Sequence, residues 1–64
     1  MEPKWKDAVV LLEDMPARKL ARGQVGTVVE KLGKDVFEVE FDDDGGRNFV
    51  TLALRAHQLL VLHH

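Results

Sequence analysis

The 64-residue chain contains no cysteine, no tyrosine and no serine. Without cysteine it can form neither a disulfide nor a thiolate metal site, and it has no thiol nucleophile. Without serine as well, neither a Ser-His-Asp nor a Cys-His arrangement can be assembled. We therefore expect a protein that is not an enzyme and that binds no cofactor.

Long apolar segments are also missing. The longest runs, residues 8–12 and 59–62, fall far short of the roughly 20 residues that a membrane-spanning helix needs. The first six residues carry charges with no apolar segment behind them, unlike a secretory signal peptide. We expect a cytoplasmic protein that makes no contact with a membrane.

A basic excess is absent too, since the net charge is −2 and the isoelectric point is about 5.8. Domains with a general affinity for phosphate backbones usually carry a clear basic excess. The charge is unevenly distributed, however, and such asymmetry is the one electrostatic indication of a docking surface. Residues 35–44 carry only acidic charges, whereas residues 17–34 carry Glu30 against Arg18, Lys19, Arg22, Lys31 and Lys34.

What the chain does contain is short apolar segments separated by turn residues, a pattern typical of β-strands. At 45% hydrophobic residues it has material for one compact core, so we predict a single domain over residues 1–64. Residues 1–6 are predicted as a lead-in that frays, in which Trp5 either closes one end of the fold or serves as an exposed anchor. The predicted strands are residues 7–12, 23–32, 36–41, 48–54 and 59–62.

Apolar positions can be assigned in four of these strands. The first is predicted to be a buried strand, because it is a short apolar run. In the second, Val25, Val28 and Val29 supply the apolar positions. The third and fourth alternate, which places one side of each in the core. Their inward residues are predicted to be Phe37, Val39 and Phe41 in the third strand and Val50, Leu52 and Leu54 in the fourth, with Phe49, Thr51 and Ala53 facing outward.

Glycine, proline and aspartate residues indicate the turns and loops that connect the strands. Gly23 and Gly26 could suggest a phosphate-binding loop, but such glycines precede a helix, whereas these precede a strand and are predicted to form a bend. Residues 13–24 make a long first loop, in which Pro16 and Gly23 leave room for one short helical turn. Residues 33–35 form a tight turn, so the strands on either side are antiparallel. Residues 55–58 are predicted as a 3₁₀ turn.

Neither the aspartates nor the histidines indicate a metal site. Residues 42–47 read as a hairpin loop, and an EF-hand beginning at Asp42 would need glutamate where Ala53 stands. His57 is interpreted as a surface or capping residue. His63 and His64 are interpreted as a disordered end or a remnant of a cloning tail.

Five short strands, a long first loop and a 3₁₀ turn before the last strand predict an all-β fold, namely a small five-stranded SH3-like barrel. A five-stranded OB barrel is the alternative, but it normally has a longer chain and a helix. Closure of the barrel would remove exposed sheet edges.

The segments RGQVGTVVE, residues 22–30, and FEVEF, residues 37–41, together with residues 7–16, Gly46, Gln58 and Leu59, resemble the domain-of-unknown-function family 4926. The resemblance covers nearly the whole chain. It implies a stand-alone SH3-like barrel of bacterial origin with no assigned activity, and hence no catalytic residues to transfer.

We predict a non-enzymatic protein-binding module, an adaptor or inhibitor, because catalytic groupings are lacking and the charge is polarised. The alternative is a KOW-like nucleic-acid-binding module, since the glycine-strand feature is similar to the KOW element of ribosomal and transcription factors. It would use Arg18, Lys19, Arg22, Lys31 and Lys34. The predicted protein contact surface consists of Met15, Arg18, Lys19 and Arg22 in the first loop, with Trp5 as an aromatic anchor.

Overall fold

A computed structural model describes residues 2–42 and 49–62. In this part of the chain it contains five β-strands, two short 3₁₀ turns and no α-helix. The strands are β1 Ala8–Leu11, β2 Val25–Lys31, β3 Val36–Asp42, β4 Phe49–Arg55 and β5 Leu59–Val61, and the 3₁₀ turns are Pro16–Arg18 and Ala56–Gln58.

The strands form one antiparallel sheet in the order β4-β3-β2-β1-β5. The predicted all-β class, the five antiparallel strands and the 3₁₀ turn before the last strand are confirmed. Closure by hydrogen bonds is not seen, because over residues 2–42 and 49–62 the ladders end at β4 on one side and β5 on the other. The sheet therefore keeps two edge strands.

Alternation along β3 and β4 builds most of the core. Phe37, Val39 and Phe41 are fully buried, as predicted. The cross-strand partners of Phe37 and Val39 on β4 are Leu54 and Leu52, which are also buried. Side chains on alternate residues point to the same side of a sheet, so these positions share one face. The core is completed by Val9, Leu11, Leu20, Val28 and Leu59, with Met15, Val50, Ala56 and Val61 packed against it.

Strand β2 departs from its predicted pattern. Val25 is 53% exposed and Val29 is 36% exposed, while Val28 is fully buried. The inward positions are Gly26 and Val28, so alternation places Val25 and Val29 outward. Gly26 faces the core because a Cβ there would lie 2.7 Å from ring carbons of Phe41. The phenyl ring thus takes the space that a side chain on β2 would otherwise fill.

Strand β1, predicted as a buried strand, is fully buried on one face and partly buried on the other. Val9 and Leu11 are fully buried, whereas Val10 is half-buried. Val10 lies opposite Val25 on β2 and Leu60 on β5. The continuous apolar run of β1 therefore supplies both the core and an outer apolar row.

The segment preceding β1 packs against the sheet, whereas the sequence predicted that it frays. Pro3 is fully buried, and the backbone N–H of Lys6 donates to the carbonyl of Val28 at 2.7 Å. Asp7 fixes the bend between them, because its Oδ2 accepts a hydrogen bond from the N–H of Lys4 at 2.8 Å. Burial of Pro3 rather than Trp5 closes this side of the core.

Some predictions fall outside the described residues: the hairpin loop after Asp42, residue 48 at the start of the fourth strand, Gly46, His63 and His64. Among residues 2–42 and 49–62, no helix is long and apolar enough to cross a membrane.

Candidate functional site

The first loop, residues 12–24, folds back on itself between β1 and β2. The N–H of Met15 donates to the carbonyl of Leu20 at 2.9 Å, and the N–H of Leu20 donates to the carbonyl of Met15 at 3.1 Å. The 3₁₀ turn that begins at Pro16 lies between the two residues. Leu20 is only 4% exposed and belongs to the core cluster. The loop is therefore anchored at its base rather than free.

The basic residues of this loop are exposed on a defined backbone. Lys19 adopts a left-handed conformation with φ of 59°, and its N–H donates to the carbonyl of Pro16. The N–H of Arg22 donates to Oδ1 of Asp14 at 2.9 Å. Arg18, Lys19 and Arg22 are all exposed. Their charges are thus presented by a backbone that local hydrogen bonds hold in place.

Two of the predicted contact residues, Met15 and Arg18, line an open groove beside β4. Its volume is about 620 Å³. We call it the β4 groove, and it is bounded by Met15 and Arg18 of the first loop, Thr51, Leu52 and Ala53 of β4, and Leu32 and Glu38.

The hydrogen-bond register determines which way the backbone of β4 faces. The N–H of Leu32 donates to the carbonyl of Val36 at 2.8 Å, so the backbone of Val36 is directed at β2. In an antiparallel sheet this direction alternates with every residue. The odd-numbered residues of β3 therefore bond to β4, where their partners are Leu54, Leu52 and Val50.

The intervening residues of β4 consequently point their backbone groups away from the sheet. The N–H of Ala56 donates to the carbonyl of Asp35 at 3.3 Å, which extends the same alternation beyond the strand. Thr51 and Ala53 thus present their N–H and C=O groups at the open edge. Within residues 2–42 and 49–62, neither has a backbone partner there.

The β4 groove contains charge of both signs. Arg18 lies on the loop side and Glu38 lies on β3. Two ion pairs occur within residues 2–42 and 49–62, one joining Lys31 to Glu2 at 2.6 Å and the other joining Arg55 to Asp35 at 3.7 Å. Neither of these pairs includes Arg18 or Glu38.

Trp5 is not part of the β4 groove. Its side chain is 67% exposed, and Nζ of Lys6 lies 4.6 Å from the centroid of its ring. The interpretation that Trp5 closes one end of the fold is therefore wrong, and the exposed alternative is the one compatible with the structure. Of the five predicted contact residues, the structure brings Met15 and Arg18 together in the groove, with Lys19 and Arg22 elsewhere on the same loop.

A second open groove, of about 630 Å³, lies beside the second 3₁₀ turn, which follows β4. The turn is held by Gln58, whose Oε1 accepts the N–H of Arg55 at 2.7 Å. His57 is exposed. Over residues 2–42 and 49–62, no three His, Asp or Glu side chains are grouped as metal ligands. The groove is lined by Glu2, Lys34, Asp35, Ala56, His57 and Leu59.

Sequence reasoning missed two surface features. The first is the unpaired edge of β4, which no composition signal marks. The second is the outer apolar row of Val10, Val25 and Leu60, of which Val25 and Leu60 are 53% and 54% exposed. A signal for this row did exist, because apolar residues at consecutive positions of β1 place apolar side chains on both faces of a strand.

A family model described as "Domain of unknown function (DUF4926)" matches residues 6–61. The chain belongs to the DUF4926 family. The match includes all five strands and the first loop, so the predicted resemblance is confirmed. Comparison with curated proteins and with solved structures finds no match. The family is described only as a domain of unknown function, so membership assigns no activity to the chain.

Proposed function

We propose that this DUF4926 domain is a non-enzymatic protein-binding module, an adaptor or inhibitor, whose contact surface is centred on the first loop. One observation carries the proposal: Met15 and Arg18 of the loop line the same groove as Thr51 and Ala53 of the edge strand β4. Partly exposed apolar and arginine side chains beside free backbone groups are typical of protein recognition. Lys19 and Arg22 extend the positive charge on the same loop.

The test compares two charge-neutralising variants with the wild type. The first, Arg18→Gln/Lys19→Gln/Arg22→Gln, removes the loop charges, and the second, Lys31→Gln/Lys34→Gln, removes basic charges outside the loop. Proteins captured from a nuclease-treated native lysate are compared across the three. We expect the loop variant to lose a protein that the control variant retains, since rim charges influence association. Identical captured proteins in all three samples would contradict the proposal.

The alternative, a KOW-like nucleic-acid-binding module, has weaker support. Its five basic residues would act together, yet Lys31 is already paired with Glu2 at 2.6 Å. Nucleic-acid binding should weaken steeply with salt and should respond to both sets of substitutions. Equal loss of RNA or DNA binding in the two variants at low salt would favour this alternative over a protein partner.

The absence of enzymatic activity, the SH3-like character of the fold, a bacterial origin and a cytoplasmic location stay predictions. The SH3-like proposal is supported by the strand number and by the 3₁₀ turn before β5.

A further inference from the structure

We infer that the partner of this surface is an extended peptide segment with an acidic residue facing Arg18, which adds to the open edge of β4 as a sixth strand. The inference rests on the proposed protein-binding function and specifies its chemistry. The bound segment would lie in the β4 groove, between β4 and the first loop. Backbone hydrogen bonds would supply most of its affinity, and two side-chain contacts would supply the rest.

The backbone of β4 supplies the repeat that an added strand needs. Thr51 and Ala53 are two residues apart, so their outward N–H and C=O groups recur at about 7 Å along the strand. An extended peptide presents its own groups with the same repeat, and strand addition gives most of its affinity through such bonds. Among residues 2–42 and 49–62 these groups have no backbone partner, so a peptide backbone can pair with them.

Residues 49–54 of β4 carry none of the side chains by which proteins commonly protect an exposed strand. Lysine, proline or an inward charge commonly blocks pairing, and the outward residues Thr51 and Ala53 are small and uncharged. The other edge strand, β5, differs in two ways. It has only three residues, and the N–H of Leu59 is already used by the carbonyl of Ala56. The seven-residue β4 is therefore the edge that can receive a strand.

The side chains of the groove indicate what the peptide carries. Met15, Leu32 and Ala53 offer an apolar surface, and Leu32 is 48% exposed. Arg18 has no acidic partner among residues 2–42 and 49–62. We expect an apolar residue beside Met15 and an acidic residue beside Arg18. Glu38 carries the opposite charge in the same groove, so a peptide that is acidic throughout would be repelled there.

The probe is a displayed library of random eight-residue peptides, selected against the intact domain. Peptides enriched by selection are synthesised and titrated into ¹⁵N-labelled protein. We expect them to contain an aspartate or glutamate and to slow hydrogen exchange at the amides of Thr51 and Ala53. In the free protein these two amides should exchange quickly and those of Leu52 and Leu54 slowly, because only the latter bond to β3.

Matched variants separate backbone pairing from other contacts. Ala53→Pro removes an outward N–H at an edge position where proline is tolerated, and Ala53→Thr keeps it. We expect the first to abolish binding and the second to retain it. Arg18→Glu should weaken binding by about two- to fivefold, since exposed charge pairs contribute up to about 1 kcal/mol, whereas Lys34→Glu should not.

A peptide control decides the question even if Ala53→Pro fails to fold. Methylation of alternate backbone nitrogens removes the donors on one edge of the selected peptide while leaving its side chains unchanged. The peptide methylated on the pairing edge should lose binding, and the peptide methylated on the other edge should keep it. Equal binding by both methylated peptides would overturn the inference.

Three further results would overturn it: no peptide enriched by selection, enriched peptides that leave the Thr51 and Ala53 amides unchanged, or amides already protected in the free protein. The last result, combined with a dimer in light scattering, would assign the edge to a second copy. Capture of a protein that depends on the loop charges but tolerates Ala53→Pro would keep the proposed function and reject strand addition. If peptides pair with β4 but no captured protein depends on the loop charges, strand addition would be kept and the proposed function rejected.

Discussion

At the scale of single residues, Gly23 just before β2 and Gly26 within it are glycines for different structural reasons. Gly23 has φ of +95° and nothing within 4 Å of where a Cβ would be. Gly26 lies within the strand, where a Cβ would come within 2.9 Å of the carbonyl oxygen of Glu40 and closer still to Phe41. Gly23 is needed for its positive φ, and Gly26 is needed because a side chain there would clash with Phe41 and the backbone of Glu40.

Substitution by alanine should separate these two requirements. Gly26→Ala should lower the free energy of unfolding by about 2–3 kcal/mol, because overpacking forces the Phe41 ring and its strand to move. Gly23→Ala should cost about 1–2 kcal/mol, the penalty of a Cβ in the left-handed region. Urea unfolding followed by circular dichroism measures both. A larger loss at Gly23 than at Gly26 would show that close packing against Phe41 does not limit this strand.

The sequence predicted a bend and a strand at these glycines but could not assign their separate reasons. Positive φ follows from local turn chemistry, whereas the space at Gly26 is filled by Phe41, a residue of another strand. That contact depends on the pairing of β2 with β3, in which Gly26 lies opposite Phe41. The same contact explains why Val25, predicted as an apolar position of the strand, faces outward.

At the scale of elements, the first loop behaves as part of the fold and not as an appendage. Leu20 connects it to the core and Met15 packs against the same cluster. The sequence identified the loop and its exposed charges but missed Leu20, because a single leucine among charged residues has no periodicity. A short backbone bridge between Met15 and Leu20 brings it inward.

Shortening this leucine should therefore destabilise the domain. Leu20→Ala is expected to cost about 2–4 kcal/mol through lost burial and the cavity left behind. The matched change Leu60→Ala, at a side chain 54% exposed, should cost about 0.5 kcal/mol or less. Chemical denaturation of both variants gives the comparison, and equal losses would mean that Leu20 does not anchor the loop.

The sequence predicted where the strands lie and which side chains face the core, because the alternation of apolar and polar residues is a property of each segment alone, as at Phe37, Val39 and Phe41. The unpaired edge of β4 was not, because it depends on which strands become neighbours. The side chains of Thr51 and Ala53 were correctly predicted to face outward. The direction of their backbone groups, however, follows only from the register between β3 and β4.

At the scale of the whole molecule, one small core supports an open sheet. A core in a chain of this size rarely supplies more than about 3–5 kcal/mol of net stability. Loss of Leu20 should therefore leave an appreciable unfolded fraction at physiological temperature. A ligand that binds only the folded state adds to this margin by mass action, so occupation of the β4 edge would also stabilise the domain.

The exposure of Trp5 has an optical consequence. It is the chain's one tryptophan, and its indole is already 67% solvent-exposed in the folded protein. Its fluorescence maximum should therefore shift little when the domain unfolds, and the unfolding transition should instead appear in circular dichroism. A partner that covers the indole should move the emission to shorter wavelength. An unchanged spectrum on saturation with a partner would place Trp5 outside the contact.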